Sequence, residues 1–154
     1  RAVAEIIMFA SLGSRLMVHM RERDGDVYSC SGFYGRGATP VHVGYDAVVL
    51  KVSAGQAESK AQKARDFLSS YTAATESELT AAKRMLINSW KHQASSERNI
   101  CGYFVSQFDD RGVAKMNTLM PDTVAAIGDI DIEEVNDFLM SSADMVYNVI
   151  VTVC

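Results

Sequence analysis

The spacing of apolar residues divides the chain into helical and extended stretches. Over residues 2–22, apolar side chains recur three and four positions apart, which predicts a helix with one buried face. Residues 27–34 and 41–52 are rich in Val, Tyr and Phe, as β-strands are, and Gly and Pro residues separate them. The sequence therefore predicts an N-terminal helix followed by an antiparallel pair of strands.

Capping signals mark where the following helices begin. Ser53 with Gln56 and Thr75 with Glu78 both have the spacing of a capping box, in which each side chain bonds the other residue's backbone N–H. A helical stripe of apolar residues follows each pair, and Asp131 is a predicted cap for a short helix further on. These signals predict a run of helices after the strand pair.

The last third of the chain returns from helices to a strand. Residues 95–112 carry another apolar stripe, and Pro121 marks a helix restart within residues 113–128. Residues 145–153 form a nearly continuous apolar run, which is typical of a central strand. This order predicts one α+β domain, residues 1–154, with a small and mostly antiparallel sheet covered by a layer of helices.

The composition is that of an ordinary folded domain. Of the 154 residues, 48% are hydrophobic and 22% are charged, which excludes the disordered and fibrous classes. The net charge is −4 and the Lys and Arg residues are scattered, so no surface for nucleic acid is predicted. No apolar run approaches the roughly 20 residues that a membrane span needs. The sequence indicates no particular cellular compartment.

The three cysteines give no sign of a disulfide or metal framework. Cys30, Cys101 and Cys154 lie far apart and form no C-x-x-C pair. We expect buried free thiols. The sequence also lacks a G-x-S-x-G elbow, and nothing pairs a particular Cys with a His, so a Ser or Cys nucleophile is not predicted.

The stretch from residue 14 to residue 30 joins the predicted first helix to the first strand through a turn at Asp24-Gly25. Arg21 lies near the end of the helix and Tyr28 at the start of the strand, so both side chains can reach the same space. Arg supplies a rigid fork of N–H donors, and a Tyr hydroxyl can stabilise an oxyanion. The competing interpretation is structural, with Arg21 as a helix-end cation and Tyr28 as a half-buried strand aromatic.

Three short motifs follow one another in this stretch, Ser-Arg-Leu (14–16), Arg-Glu (21–22) and Tyr-Ser (28–29). Their order and spacing resemble the non-catalytic half of the pitrilysin/insulinase family of zinc metallopeptidases. In that family such a half carries an Arg and a Tyr at this spacing, and both contact the bound peptide opposite the zinc site. The resemblance implies that Arg21 binds the substrate backbone and that Tyr28 stabilises the tetrahedral intermediate.

The family's zinc signature is absent from this chain. Zinc-dependent hydrolysis needs two His ligands, a third ligand and a Glu that activates water. In this family the signature of such a site is H-x-x-E-H on a helix. His19 and Glu22 fit its first four positions, but Arg23 occupies the position of the second His and Arg is no zinc ligand. His42 and His92 lack a second His at helical spacing. We therefore expect no metal site in this segment.

The resemblance implies a C-terminal, substrate-binding and inactive domain of a zinc metalloendopeptidase, similar to a processing-peptidase half. The family's half begins with further strands, whereas this chain begins at Arg1 in a helix, so we expect truncation on the N-terminal side. The implied partners are a peptide substrate and a complementary half that holds zinc, in the same polypeptide or on another subunit. Two alternatives remain, a structural subunit that kept the fold without activity and a stand-alone module that binds peptides along a sheet edge.

Overall fold

Helices cover one face of a small sheet in the computed structural model of the protein. The structure describes residues 1–10, 13–22, 27–34, 46–96, 98–99, 101, 119–144 and 148–153. The predicted helix over 95–112 lies largely outside these residues. The α+β class with a layer of helices is confirmed, and the elements in chain order are α1 (Ala2–Met8), α2 (Arg15–Met17), a π-helical turn (Val18–Glu22), β1 (Val27–Tyr34), β2 (Asp46–Val52), α3 (Ala57–Ser69), α4 (Glu76–Ala94), α5 (Leu119–Asp129), α6 (Ile132–Ala143) and β3 (Asn148–Val153).

The helix predicted over residues 2–22 is interrupted. α1 ends at Met8, and α2 begins only after Ser14, whose extended backbone (φ −66°, ψ 151°) places it at the N-cap. Gly13 lies at the interruption and weakens a helix by about 1 kcal/mol relative to Ala. The prediction of one continuous helix is wrong. Of the apolar residues predicted to share its inner face, Val3, Ile7, Leu16 and Met20 are buried, whereas Ala10 is exposed.

The described strands lie in the order β1-β2-β3, with β2 in the centre. β1 runs antiparallel to β2, as predicted, and residues 41–45 of the predicted second strand lie outside the described residues. β3 pairs with β2 in parallel, because the intervening helices return the chain to the end of the sheet where β2 began. The sheet is therefore mixed rather than mostly antiparallel, and among the described strands β3 flanks the centre instead of forming it.

The two faces of the sheet lie in different surroundings. Val48, Leu50 and Val52 point into the core and are fully buried, whereas Lys51 between them is exposed. This alternation follows from the two-residue period of a strand. The face opposite the core is largely exposed in the described part of the structure. We call it the outer sheet face, and its exposed or partly exposed side chains are Ser29, Ser31, Phe33, Val49, Lys51, Ile150 and Thr152. Ala47 lies on the same face and is buried.

Three of the four predicted helix starts agree with the structure and one does not. Asp131 caps α6 in a capping box, since its carboxylate accepts the Glu134 N–H at 2.8 Å and its own N–H donates to the Glu134 carboxylate at 3.3 Å. α5 contains Pro121 in its first turn, at the predicted restart. α3 begins after Gln56 without a side-chain cap, so the predicted box of Ser53 with Gln56 is wrong.

Glu78 joins three parts of the helical layer. Its carboxylate accepts the Thr75 N–H at 2.8 Å and the Thr75 hydroxyl at 2.9 Å, and the Glu78 N–H donates back to Thr75 Oγ1, which confirms this capping box. Arg15 donates to the same carboxylate from Nε at 2.7 Å and from Nη2 at 2.8 Å. The guanidinium also donates to the carbonyls of Thr72 and Ala73. The hydrogen bond from Arg15 is the largest cause that lowers the pKa of Glu78 from 4.5 to about 2.

We expect Glu78→Gln to lower the free energy of unfolding at neutral pH by about 1–2 kcal/mol, because the variant loses the charge-assisted bonds to Arg15. The folded-state pKa lies below the unfolded value, so this contribution is complete above pH 4.5 and disappears as the pH falls toward about 2. Denaturant unfolding as a function of pH should show the difference between the two proteins closing over that window. Glu76→Gln, on the exposed first turn of the same helix, is the control for the helix dipole. An equal loss in both variants would contradict the role of Arg15.

Three aromatic rings connect the end of α1 with β1 and α6. Phe9 packs on Tyr34 with ring centroids 5.0 Å apart, and Tyr34 meets Phe138 edge-on at 4.9 Å. Gly32 lies beneath the first of these rings. A Cβ atom at this position would come within 2.6–2.9 Å of three ring atoms of Phe9. The absence of a side chain at Gly32 is therefore what leaves room for the ring.

Candidate functional site

Tyr28 lies on an irregularity of β1. Between two regular cross-strand pairs, β1 has two residues, Tyr28 and Ser29, where β2 has the single residue Lys51. This arrangement is a β-bulge, which adds a residue to one strand and re-aims its side chains. Val27 and Cys30 on either side are buried, whereas Tyr28 and Ser29 are both exposed. The bulge therefore interrupts the alternation of the strand and leaves Tyr28 in solvent next to the outer sheet face.

Arg21 lies in the π-helical turn Val18–Glu22, shortly before β1 begins. Such turns are uncommon and occur frequently at functional sites. The turn packs against β1, and the Arg21 side chain is exposed. Residues 23–26, with the predicted turn, lie outside the described residues. The end of the helical segment and the start of the strand are thus neighbours, as predicted, although the segment ends as a π-helical turn.

Both predicted site residues are exposed. Within the described residues, the side chains of Arg21 and Tyr28 make no hydrogen bond, ion pair or ring contact. Tyr28 is 65% exposed, which does not agree with the alternative of a half-buried strand aromatic. A guanidinium fork and a phenol hydroxyl are both donors, and they suit the carbonyls of an extended peptide. Their convergence on one ligand remains a prediction.

Comparison of the chain with known proteins finds solved structures that have a similar fold. No protein-family model and no curated protein matches it in sequence. The peptidase M16 inactive domain from Pseudomonas fluorescens superposes on 99% of this chain with a TM-score of 0.68 and 19% sequence identity. The chain has the fold of a peptidase M16 domain.

A second solved structure has a similar fold. It is the "putative zinc protease" from Bordetella pertussis Tohama I, with a TM-score of 0.66 and 13% identity over 92% of this chain and 75% of that chain. The chain spans 36% of the length of the Pseudomonas structure. Peptidase M16 is the pitrilysin/insulinase family that the sequence motifs resemble, so the resemblance is confirmed in the fold.

The described residues of this M16 fold do not fit a zinc site. No group of three or more His, Cys, Asp or Glu side chains in the described ranges could hold a metal ion. His19 is half-buried, and its ring stacks on Phe67 with centroids 4.4 Å apart. His92 is exposed on α4, and His42 lies outside the described residues. Zinc chemistry is therefore assigned to none of these side chains.

The described cysteines differ in their surroundings. Cys30 is buried in β1, and burial raises the pKa of its thiol to about 12, so it remains protonated and unreactive at neutral pH. Cys101 is exposed, so the prediction of a buried thiol is wrong at that position. Cys154 lies outside the described residues. The Cys30 thiol is a packing group rather than a nucleophile.

Lys51 is an exposed residue beside Tyr28 that the sequence analysis did not consider. Among the described residues it is the one charged side chain of the outer sheet face, and it lies opposite Tyr28 and Ser29. A signal was present, because Lys51 interrupts an otherwise apolar run over residues 47–52. The sequence signal does not show that Lys51 lies opposite Tyr28, because that position depends on a bulge that is visible only in the paired strands.

A separate cleft of about 550 Å³ lies in the helical layer. Helices and loops line it, with Phe67, Tyr71 and Ser142 among its residues and none from the described strands. Arg15 and Glu78 also line the cleft, but they already bind each other. Val18 and His19, from the π-helical turn that bears Arg21, also line the cleft, whereas Tyr28 does not. Of the described helices, none has both the length and the apolar character needed to cross a membrane.

Proposed function

We propose that this chain is the substrate-binding, non-catalytic half of a zinc-dependent endopeptidase that cleaves peptides. The observation that carries the proposal is the bulge at Tyr28, which exposes a phenol hydroxyl beside the turn that bears Arg21. The fold supports it, because the two similar structures bear the names of an M16 inactive domain and of a zinc protease.

Each of the two residues has a distinct role in this proposal. An extended peptide lies beside β1, and the Arg21 guanidinium donates to its backbone carbonyls. The Tyr28 hydroxyl donates to the carbonyl oxygen that becomes negative in the tetrahedral intermediate, an interaction typically worth about 3 kcal/mol. Activation of water belongs to a complementary zinc-bearing half, in the same polypeptide or on another subunit.

The proposal extends to the organisation of the whole protein. Residues 1–154 are one domain, which belongs to the C-terminal half of the peptidase. The lengths support this, since the chain spans 36% of the Pseudomonas structure. A structural subunit with the same fold differs from this proposal in one measurable property, because it binds no substrate peptide.

Titration with an unstructured peptide of neutral composition tests the proposed function. We expect Arg21→Ala to weaken peptide binding by about tenfold, because a charge-assisted donor is lost. Arg84→Ala, an exposed Arg on α4, is the matched control and should bind as the wild type does. Equal affinities of the two variants would contradict the role of Arg21. No binding by the wild type would favour the structural subunit.

A further inference from the structure

Lys51 lies on the outer sheet face of β2, and the residues beside it on the two neighbouring strands are small. The sheet register pairs it with Ser29 on β1 and with Thr152 on β3. The Thr152 hydroxyl donates to the backbone carbonyl of Leu50 at 3.2 Å, so it is engaged with the sheet itself. Directly opposed residues in a sheet lie about 4.5–5.5 Å apart. A peptide held at Tyr28 is therefore within reach of the Lys51 ammonium.

This ammonium has no counter-charge within the described residues. The Lys51 side chain makes no hydrogen bond or ion pair there, and the other side chains of the outer sheet face are neutral. The chain as a whole has a net charge of −4, so Lys51 is a local cation on an acidic protein. Lysines often protect the edge strands of sheets, but Lys51 is on β2, the central strand among those described. Protection of an edge therefore does not account for it.

We infer that Lys51 selects peptides that carry a carboxylate. The ammonium binds the carboxylate of an acidic side chain or of the peptide C-terminus, while Arg21 and Tyr28 hold the peptide backbone. The inference rests on the proposed peptide-binding function and adds a substrate class to it. An ammonium is a compact charge with three donors, and its attraction for a carboxylate near the surface is screened beyond about 10 Å at 0.1 M salt. The selection is therefore strongest at low ionic strength.

Matched peptides separate the two sources of the carboxylate. One set moves a single Asp along an otherwise neutral peptide, with Asn at the same position as its partner. A second pair differs only in a free or an amidated C-terminus. We expect the wild type to prefer the charged member of one of these comparisons by about two- to fivefold at low salt. A preference for Asp identifies a side chain, a preference for the free acid identifies the C-terminus, and either result supports the inference.

Two substitutions of Lys51 complete the experiment. Lys51→Met keeps an apolar stem and should abolish the preference, whereas Lys51→Arg should keep it. Lys91→Met, an exposed Lys on α4, makes the same charge change elsewhere and should leave the preference intact. A preference that survives Lys51→Met, or wild-type binding without any preference for a carboxylate, would overturn this inference alone. Failure of every peptide to bind the wild type would overturn the proposed function as well.

Discussion

Replacement of Tyr28 by Phe is expected to lower the kcat of peptide cleavage by about 100-fold, while KM changes by less than about threefold. The substitution removes only the hydroxyl, and the exposed ring at the bulge remains. In the proposed mechanism that hydroxyl donates to an oxygen whose negative charge develops in the transition state, so substrate binding depends on it much less. Steady-state kinetics of the protein that holds both halves measure the two constants separately.

Tyr71→Phe is the matched control for this experiment. Tyr71 is 44% exposed and lies in the loop after α3, where it lines the cleft of the helical layer. It should change neither constant. If Tyr28→Phe also left both constants unchanged, Tyr28 would have no part in catalysis. If it raised KM alone, Tyr28 would contribute to binding but not to the tetrahedral intermediate.

Gly32→Ala is expected to lower the free energy of unfolding by about 1–3 kcal/mol. Ala usually suits a strand better than Gly does, so local propensity alone predicts the opposite sign. The close approach of Phe9 reverses it, because a Cβ atom would lie within 2.6–2.9 Å of that ring. Phe9 is only 4% exposed and packs against Tyr34, so the ring has little room to move. Chemical denaturation measures the loss.

A double-mutant cycle separates the steric effect from other causes. Phe9→Leu makes room beneath the former ring, so adding Gly32→Ala to it should cost less than adding the same change to the wild type. Ser31→Ala, on the exposed side of the same strand, should change the stability by less than about 0.5 kcal/mol. Strict additivity of the Gly32 and Phe9 changes would contradict the account of this contact.

Some features of the fold follow from local sequence patterns, and others depend on how distant segments of the chain pack together. The bounds of β1 agree with the prediction because Val27 and the three aromatic residues of the strand contrast with the flanking Gly and Asp residues. The direction of β3 was not predictable, because it depends on where the intervening helices return the chain. The interruption of the first helix was missed for a different reason. The apolar period continues from Ile7 to Leu16 although the backbone does not.

The candidate site shows the same division. Arg21 and Tyr28 are predicted from motif order, which is a property of the sequence alone. The bulge that exposes Tyr28 is a property of two strands in register, and no pattern within β1 predicts the extra residue. Lys51 was missed because its significance depends on that register. Arg15 was also missed, since its contact with Glu78 spans 63 positions of the chain.

The most direct test of the proposed function is to map the peptide-binding surface by NMR. Backbone amide shifts of the chain would be followed during the titration with an unstructured peptide. We expect the largest changes at Tyr28, Ser29 and Lys51 and along the turn that bears Arg21. Changes confined to Phe67, Tyr71 and Ser142 would place the ligand in the helical cleft and contradict the proposed site. The absence of any change would contradict peptide binding by this chain.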